Sequence, residues 1–170
     1  FQSWTRPQIF SQSDFFIFVT MKFFLPVLLV ALVLSSCAKK KFEEQAAKDD
    51  EIIQQYIADN NLNATPTGTG LYYVIDNPGL GSPCTSTSTV KVVYTGYYTY
   101  GGVFDQSSTQ GAIFSLQGVI QGWTEGIPYF KEGGSGKLLV PSALAYGKDG
   151  NGSVPPNAVL IFDIELLEVL

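Results

Sequence analysis

The chain has 170 residues, a net charge of −5, 12 Phe, 9 Tyr, 2 Trp, two cysteines and no histidine. Without histidine, imidazole acid–base catalysis, Ser-His-Asp triads and His-ligated metals are excluded, and Cys37 and Cys84 are too few for a zinc cluster or a disulfide framework. The acidic balance shows no basic face for nucleic acid, whereas the aromatic content suits a β-rich fold or an aromatic-lined pocket.

Residues 1–20 precede the chain's one methionine, Met21, and are read as upstream translated sequence or a mis-set start. From Met21 the chain reads "MKFFLPVLLVALVLSSC". Lys22 precedes an apolar run from Phe23 to Leu34, then small Ser35 and Ser36, then Cys37. That order is a signal peptide, too short to span a bilayer comfortably. "LSSC" resembles the lipobox of bacterial lipoproteins. The expectation is a lipoprotein signal peptide over 21–36, lipidation of Cys37 and membrane attachment at the bacterial cell envelope. An ordinary secretory signal with an incidental cysteine is the alternative. With Cys37 lipidated, Cys84 is a lone thiol. It lies in "GSPCTSTST" with no basic neighbour to lower its pKa, and reads as a loop cysteine without function.

Residues 37–68 read as an anchored tether and a short helix. "AKKKF" (38–42) looks like a solvated tether, and a helix is expected from Glu43 to Asn60. Glu43 and Glu44 suit the positive end of a helix, and Ile53, Tyr56 and Ile57 fall at helical spacing beside Ile52. The stripe covers only half the segment, too little for a dimerisation helix. It predicts a helix docked on the domain or serving as a spacer. "NNLNATPTGTG" reads as a loop.

The remaining domain, 69–170, is β-rich. "LYYVID" and "TVKVVYTGYYTY" are strands, the second with Val90, Val92 and Tyr94 on one face. "VFD" and "AIFSL" are shorter strands, and a short helix is expected from Trp123 to Tyr129. "GKLLVP" is a strand, and "SALAYGKDGNGSVPPN" is a loop too long for mere connection. In "AVLIFDIELLEV", Leu160, Phe162, Ile164 and Leu166 share one face, with Asp163 and Glu165 opposite. One buried and one solvated face imply an antiparallel sheet, and the order of elements an α+β domain whose sheet wraps one helix.

Four segments in order, "VVYTGYYTYGGVFDQS", "FSLQGVIQGWTEGIPYFKEGG", "KLLVPSALAYG" and "VPPNAVLIFDIELLEV", resemble the FKBP-type peptidyl-prolyl isomerases, in their bacterial lipoprotein branch. The resemblance covers Leu71 to Leu170. It implies a five- or six-stranded antiparallel sheet curved around one short helix, preceded here by the N-terminal helix, with a pocket between helix and sheet. It implies proline-containing unfolded or exported polypeptides as substrates, macrolides such as rapamycin or tacrolimus as ligands, and no cofactor or metal. Carried over residue by residue, Trp123 is the pocket floor. Tyr94, Phe104, Phe114, Val119, Ile120, Val154 and Phe162 are walls, Asp105 the polar side chain, and Tyr146 the rim hydroxyl. The Ile120 N–H and the Tyr146 hydroxyl would bond ligand carbonyls, and Gly118 and Gly122 would let the backbone approach and turn.

Each of these has a plainer reading. Tyr94, Val119, Trp123 and Phe162 could be core, Asp105 a turn cap and Tyr146 a surface ring. Two departures from the family bear on ligand affinity. Ala112 stands where many members have an aromatic, which would thin one wall. The chain's one Arg, Arg6, precedes Met21, so the basic partner that some members give the Asp105 carboxylate is missing, and a Lys cannot reproduce its bidentate geometry. Three functions compete: an active isomerase, a non-catalytic proline-peptide-binding or holdase chaperone, and a structural surface lipoprotein.

Overall fold

The structure, a computed structural model, describes residues 39–170. The start at 1–20, the signal peptide over 21–36 and the lipidation site Cys37 lie outside the described residues. The unit Glu44–Leu170 holds the sheet and every contact described below.

Helix α1 covers 39–59. The lysine run expected to be a tether is therefore helical, in keeping with the helix propensity of Lys, Glu, Gln and Ala. Asn61 ends the helix in the left-handed region at φ 50°, and Leu62 N–H donates to the Ile57 carbonyl at 3.0 Å.

Seven strands follow: β1 (Thr65–Pro66), β2 (Tyr72–Asn77), β3 (Thr89–Tyr98), β4 (Val103–Gln106), β5 (Ala112–Ser115), β6 (Gly134–Val140) and β7 (Leu160–Val169). All pairings are antiparallel, in the order β1-β2-β6-β7-β3-β4, with β5 also on β3. Strand β1 falls in the segment read as loop, which raises the sheet above the five or six strands expected. Helix α2 (Gln121–Gly126) continues into a 3₁₀ turn, Ile127–Tyr129. It starts two residues earlier than expected.

The concave face of the sheet packs on α2 through Val90, Val92, Leu138, Leu160, Phe162, Ile164 and Leu166, with Trp123, Ile127 and Phe130 against them. Cys84 belongs to this core. It is a free thiol in the loop between β2 and β3, as expected, but a buried one, with Sγ 3.7 Å from the Ile127 carbonyl. Burial pushes its pKa up, which makes it less reactive still.

The opposite face of the sheet is only partly solvated. Asp163 and Glu165 lie on it, yet Ile161 and Leu139 are sealed in a second core with Val74, Val159 and Ile53 of α1, where Ile53 is 0% exposed. The helix is thus docked, one of the two roles its short stripe allowed. A polar clamp adds to the apolar contact. Asp49 is 0% exposed, and one of its oxygens, Oδ2, accepts from Ser142 N at 2.8 Å and Ser142 Oγ at 2.6 Å. Its other oxygen accepts from Gln45 Nε2 at 2.7 Å.

Candidate active site

Phe162 leaves β7 toward the concave face between Gly96 of β3 and Leu138 of β6, its register partners. A Cβ on Gly96 would fall 2.7 Å from Phe104 Cζ and 2.9 Å from Phe162 Cε1. This mid-strand glycine is therefore what lets two rings meet over the strand. Their centroids lie 5.7 Å apart at 86°. Phe104 and Asp105 are neighbours in sequence, and strand alternation would send them to opposite faces. The register shifts here, however: Asp105 pairs with Gly96 and Val103 with Tyr97. Phe104 is the extra residue of a bulge, and the bulge aims both side chains to one side.

Helix α2 supplies the floor. Trp123 is 4% exposed, with Tyr94 at 4.9 Å, Phe162 at 5.4 Å and Phe114 at 5.5 Å, all edge-on. The glycines around it have distinct uses. A Cβ on Gly122 would meet Val140 Cγ1 at 2.4 Å, and one on Gly126 would meet Leu138 Cδ2 at 2.7 Å. Four residues apart, these two share the helix face that lies on β6. Gly118 has no protein atom nearer than Ser115 O at 3.7 Å, so packing within the protein requires a glycine at 122 but not at 118. Thr124 Oγ1 donates to Leu116 O at 2.5 Å and ties the preceding loop to the helix. Ile120 is the helix N-cap, at φ −59° and ψ 147°, and its N–H meets no protein acceptor among the described residues.

These side chains enclose a cleft of about 380 Å³ lined by Tyr94, Phe104, Asp105, Phe114, Gly118, Val119, Ile120, Trp123, Tyr146 and Phe162. Nine of the ten pocket residues proposed from the sequence are in that lining. Val154 is not: it is 5% exposed and packs in the main core. Ala112 does not reach the cleft, so this position adds no side chain to the wall. A second cleft, on the outer face of the sheet, is polar. Asp76, Asp163 and Glu165 lie along it, and its Lys137 is already ion-paired with Asp163.

The aromatic cleft has a small polar side. Tyr94 donates its hydroxyl to Asp105 Oδ2 at 2.7 Å, and Asp105 Oδ1 accepts from Gln106 N at 2.9 Å. The carboxylate therefore holds its neighbour's N–H within β4 and orients Tyr94 at once. Burial, then the bond to Asp105, pushes the Tyr94 phenol well up from 10.0. Burial, then the Asp105 charge, raises Tyr146 as well. Both phenols stay protonated as donors at neutral pH. The Trp123 Nε1–H is buried without a protein acceptor among the described residues.

An antiparallel sheet cupping one short helix, with an aromatic-lined cleft between them, defines a class: an α+β domain whose apolar cleft carries few polar groups and no acid–base pair. Comparison with known proteins narrows it. The family model described as FKBP-type peptidyl-prolyl cis-trans isomerase matches residues 81–167, and the chain belongs to that family. It is 40% identical over 140 residues to the FKBP-type peptidyl-prolyl cis-trans isomerase FkpA of Aeromonas hydrophila, covering 80% of this chain and 52% of the relative. The chain spans about half the length of the curated FkpA relatives it matches. Among solved structures it is similar to FkpA from Escherichia coli, with a TM-score of 0.65 and 35% identity over 94% of this chain and 73% of that one. It is also similar to a peptidyl-prolyl cis-trans isomerase from Pseudomonas syringae, with a TM-score of 0.66 and 31% identity over 75% of this chain and 94% of that one.

Proposed function

We propose that the chain catalyses cis–trans isomerisation of X-Pro bonds in unfolded or exported polypeptides, in the cleft floored by Trp123. The observation that carries this is the convergence of Tyr94, Phe104, Asp105, Ile120, Trp123, Tyr146 and Phe162 on one cavity.

Amide resonance sets a barrier of about 20 kcal/mol to the rotation. No bond to hydrogen or carbon is made or broken, so no nucleophile or base is required. A twisted amide loses conjugation and is less dipolar than a planar one. An apolar cleft that excludes water therefore favours the twisted form, which is differential binding of the transition state. The proline ring would sit on Trp123 between Phe104 and Phe162. The Ile120 N–H would fix the preceding carbonyl, with the Tyr146 hydroxyl as a second donor at the rim. Asp105 would hold the Tyr94 ring in place through the phenol. Macrolides such as rapamycin or tacrolimus would compete for the same floor. Lipidation at Cys37 would hold the domain at the membrane of the cell envelope, where exported chains fold.

Isomerisation of a proline tetrapeptide by the full chain in detergent tests the activity. Acceleration that rapamycin suppresses is expected; binding without acceleration would leave a proline-peptide-binding chaperone instead. For the anchor, Cys37→Ser is expected to leave the membrane fraction. Retention of that variant, together with no uptake of labelled fatty acid by the wild type, would refute lipidation.

A further inference from the structure

We propose that Tyr98 and Tyr100 extend the cleft into an outer subsite for an aromatic or large aliphatic side chain about three residues from the substrate proline. This rests on the isomerase reading of the cleft and adds a preference for the residues that flank the proline.

Four ring contacts lead outward from the floor. Trp123 meets Phe162 at 5.4 Å, Phe162 meets Phe104 at 5.7 Å, Phe104 meets Tyr98 at 5.3 Å, and Tyr98 stacks on Tyr100 at 5.1 Å and 17°. Phe104 is a cleft wall, and the last two rings follow it along the β3–β4 hairpin outside the cleft's own lining, where Tyr100 also borders a groove beside Ile52 and Tyr56 of α1. Single exposed aromatics are ordinary on protein surfaces. Tyr100, at 79% exposure, differs in being held. Its ring lies over Gly102, where a Cβ would come within 2.9 Å of Tyr100 Cε2 and 3.4 Å of Tyr98 Cδ2. The Tyr98 hydroxyl donates to Ser153 O at 2.6 Å, which ties the inner ring to the loop after Tyr146. A surface ordered before the ligand arrives loses little conformational entropy on binding.

The length fits a polypeptide. Two ring spacings of 5.3 and 5.1 Å separate Phe104 from Tyr100, a span that about three extended residues cover. A side chain there would lie on the exposed Tyr100 ring while the proline occupies the cleft. A tetrapeptide with its proline at an interior position would not reach it.

The test compares a short proline peptide with longer peptides carrying Phe or Ser three residues from the proline, in two series extended on either side. In at least one series the full chain should turn over the Phe peptide with about fivefold higher kcat/KM than its Ser counterpart. Tyr100→Ser should abolish that ratio, and Tyr100→Phe, which keeps the ring, should retain it. A ratio near one in both series for the wild type, or an unchanged ratio in Tyr100→Ser, would overturn the outer subsite while leaving the isomerase reading intact. If the wild type failed to accelerate even the short peptide, the isomerase reading would fall. The same Phe/Ser ratio measured as Kd, in wild type and Tyr100→Ser, would then decide the subsite.

Discussion

Replacing Asp49 by Ala should cost far more than its place in the charged run "KDDE" suggests. The carboxylate is fully buried and accepts two hydrogen bonds from Ser142, at 2.8 and 2.6 Å, and one from Gln45 at 2.7 Å. Hydrogen bonds to a charged group contribute about 1.5–3 kcal/mol each. Their loss strands the N–H and hydroxyl of a residue that is itself 2% exposed. Against this, Ala no longer carries the desolvation penalty of a buried charge. The net expected destabilisation is about 2–4 kcal/mol, read as a lower urea midpoint at unchanged slope. Asp49→Asn keeps an acceptor and should lose about 1 kcal/mol. Ser142→Ala and the double variant complete a cycle whose coupling should exceed about 0.5 kcal/mol. The effect should also reach the cleft. The Ser142 carbonyl accepts from Ala145 N at 3.1 Å and Gly147 N at 2.8 Å, so the turn carrying Tyr146 is built on the clamped residue. A midpoint for Asp49→Ala within about 0.5 kcal/mol of wild type would refute the reasoning.

The isomerisation rate should be flat from pH 6 to 9, since the chain has no histidine and both cleft phenols are raised above 10.0; a single titration near pH 7 would contradict this. Stability should behave differently at alkaline pH. Burial raises Tyr94, Tyr97 and Tyr146 in the folded state, so their contribution is intact below about pH 10 and is lost above it as the unfolded chain releases its phenolic protons first. Urea midpoints at pH 8 and 10.5 check the sign. Gly96→Ala drives a Cβ into Phe104 and Phe162, and should cost about 1–3 kcal/mol together with a slower rate. Gly118→Ala, with 3.7 Å of room, should shift the midpoint far less.

How much of this was legible in the sequence depended on the range of the cause. The alternation of Val90, Val92 and Tyr94, and of Leu160 through Leu166, is local, and those side chains do face the core. The same rule failed at Ile161, because the helix that buries it comes from another part of the chain. Asp49 and Asp50 look alike in sequence, yet Asp49 is buried against Ser142, 93 residues away, while Asp50 stays exposed and accepts from the Tyr72 hydroxyl at 2.8 Å. Phe104 and Asp105 could not both face one cleft by strand periodicity; the bulge that aims them is a register shift, and only the family resemblance placed both there. The resemblance carried too far at Val154, which supports the wall from the core rather than forming it. The need for glycine at 122 and 126 became visible only against Val140 and Leu138.

The central claim is that the cleft acts on the amide rather than merely filling the core. The most direct measurement is kcat/KM for a proline peptide in wild type, Asp105→Val and Trp123→Leu, each with its folded fraction checked by urea titration. Asp105→Val leaves Tyr94 without its acceptor, and Trp123→Leu takes away the floor against which Tyr94, Phe114 and Phe162 are set. Both variants are expected to fold, and each to lose at least about fivefold in kcat/KM, the equivalent of about 1 kcal/mol of transition-state binding. Two folded variants that isomerise the peptide at the wild-type rate would contradict the claim.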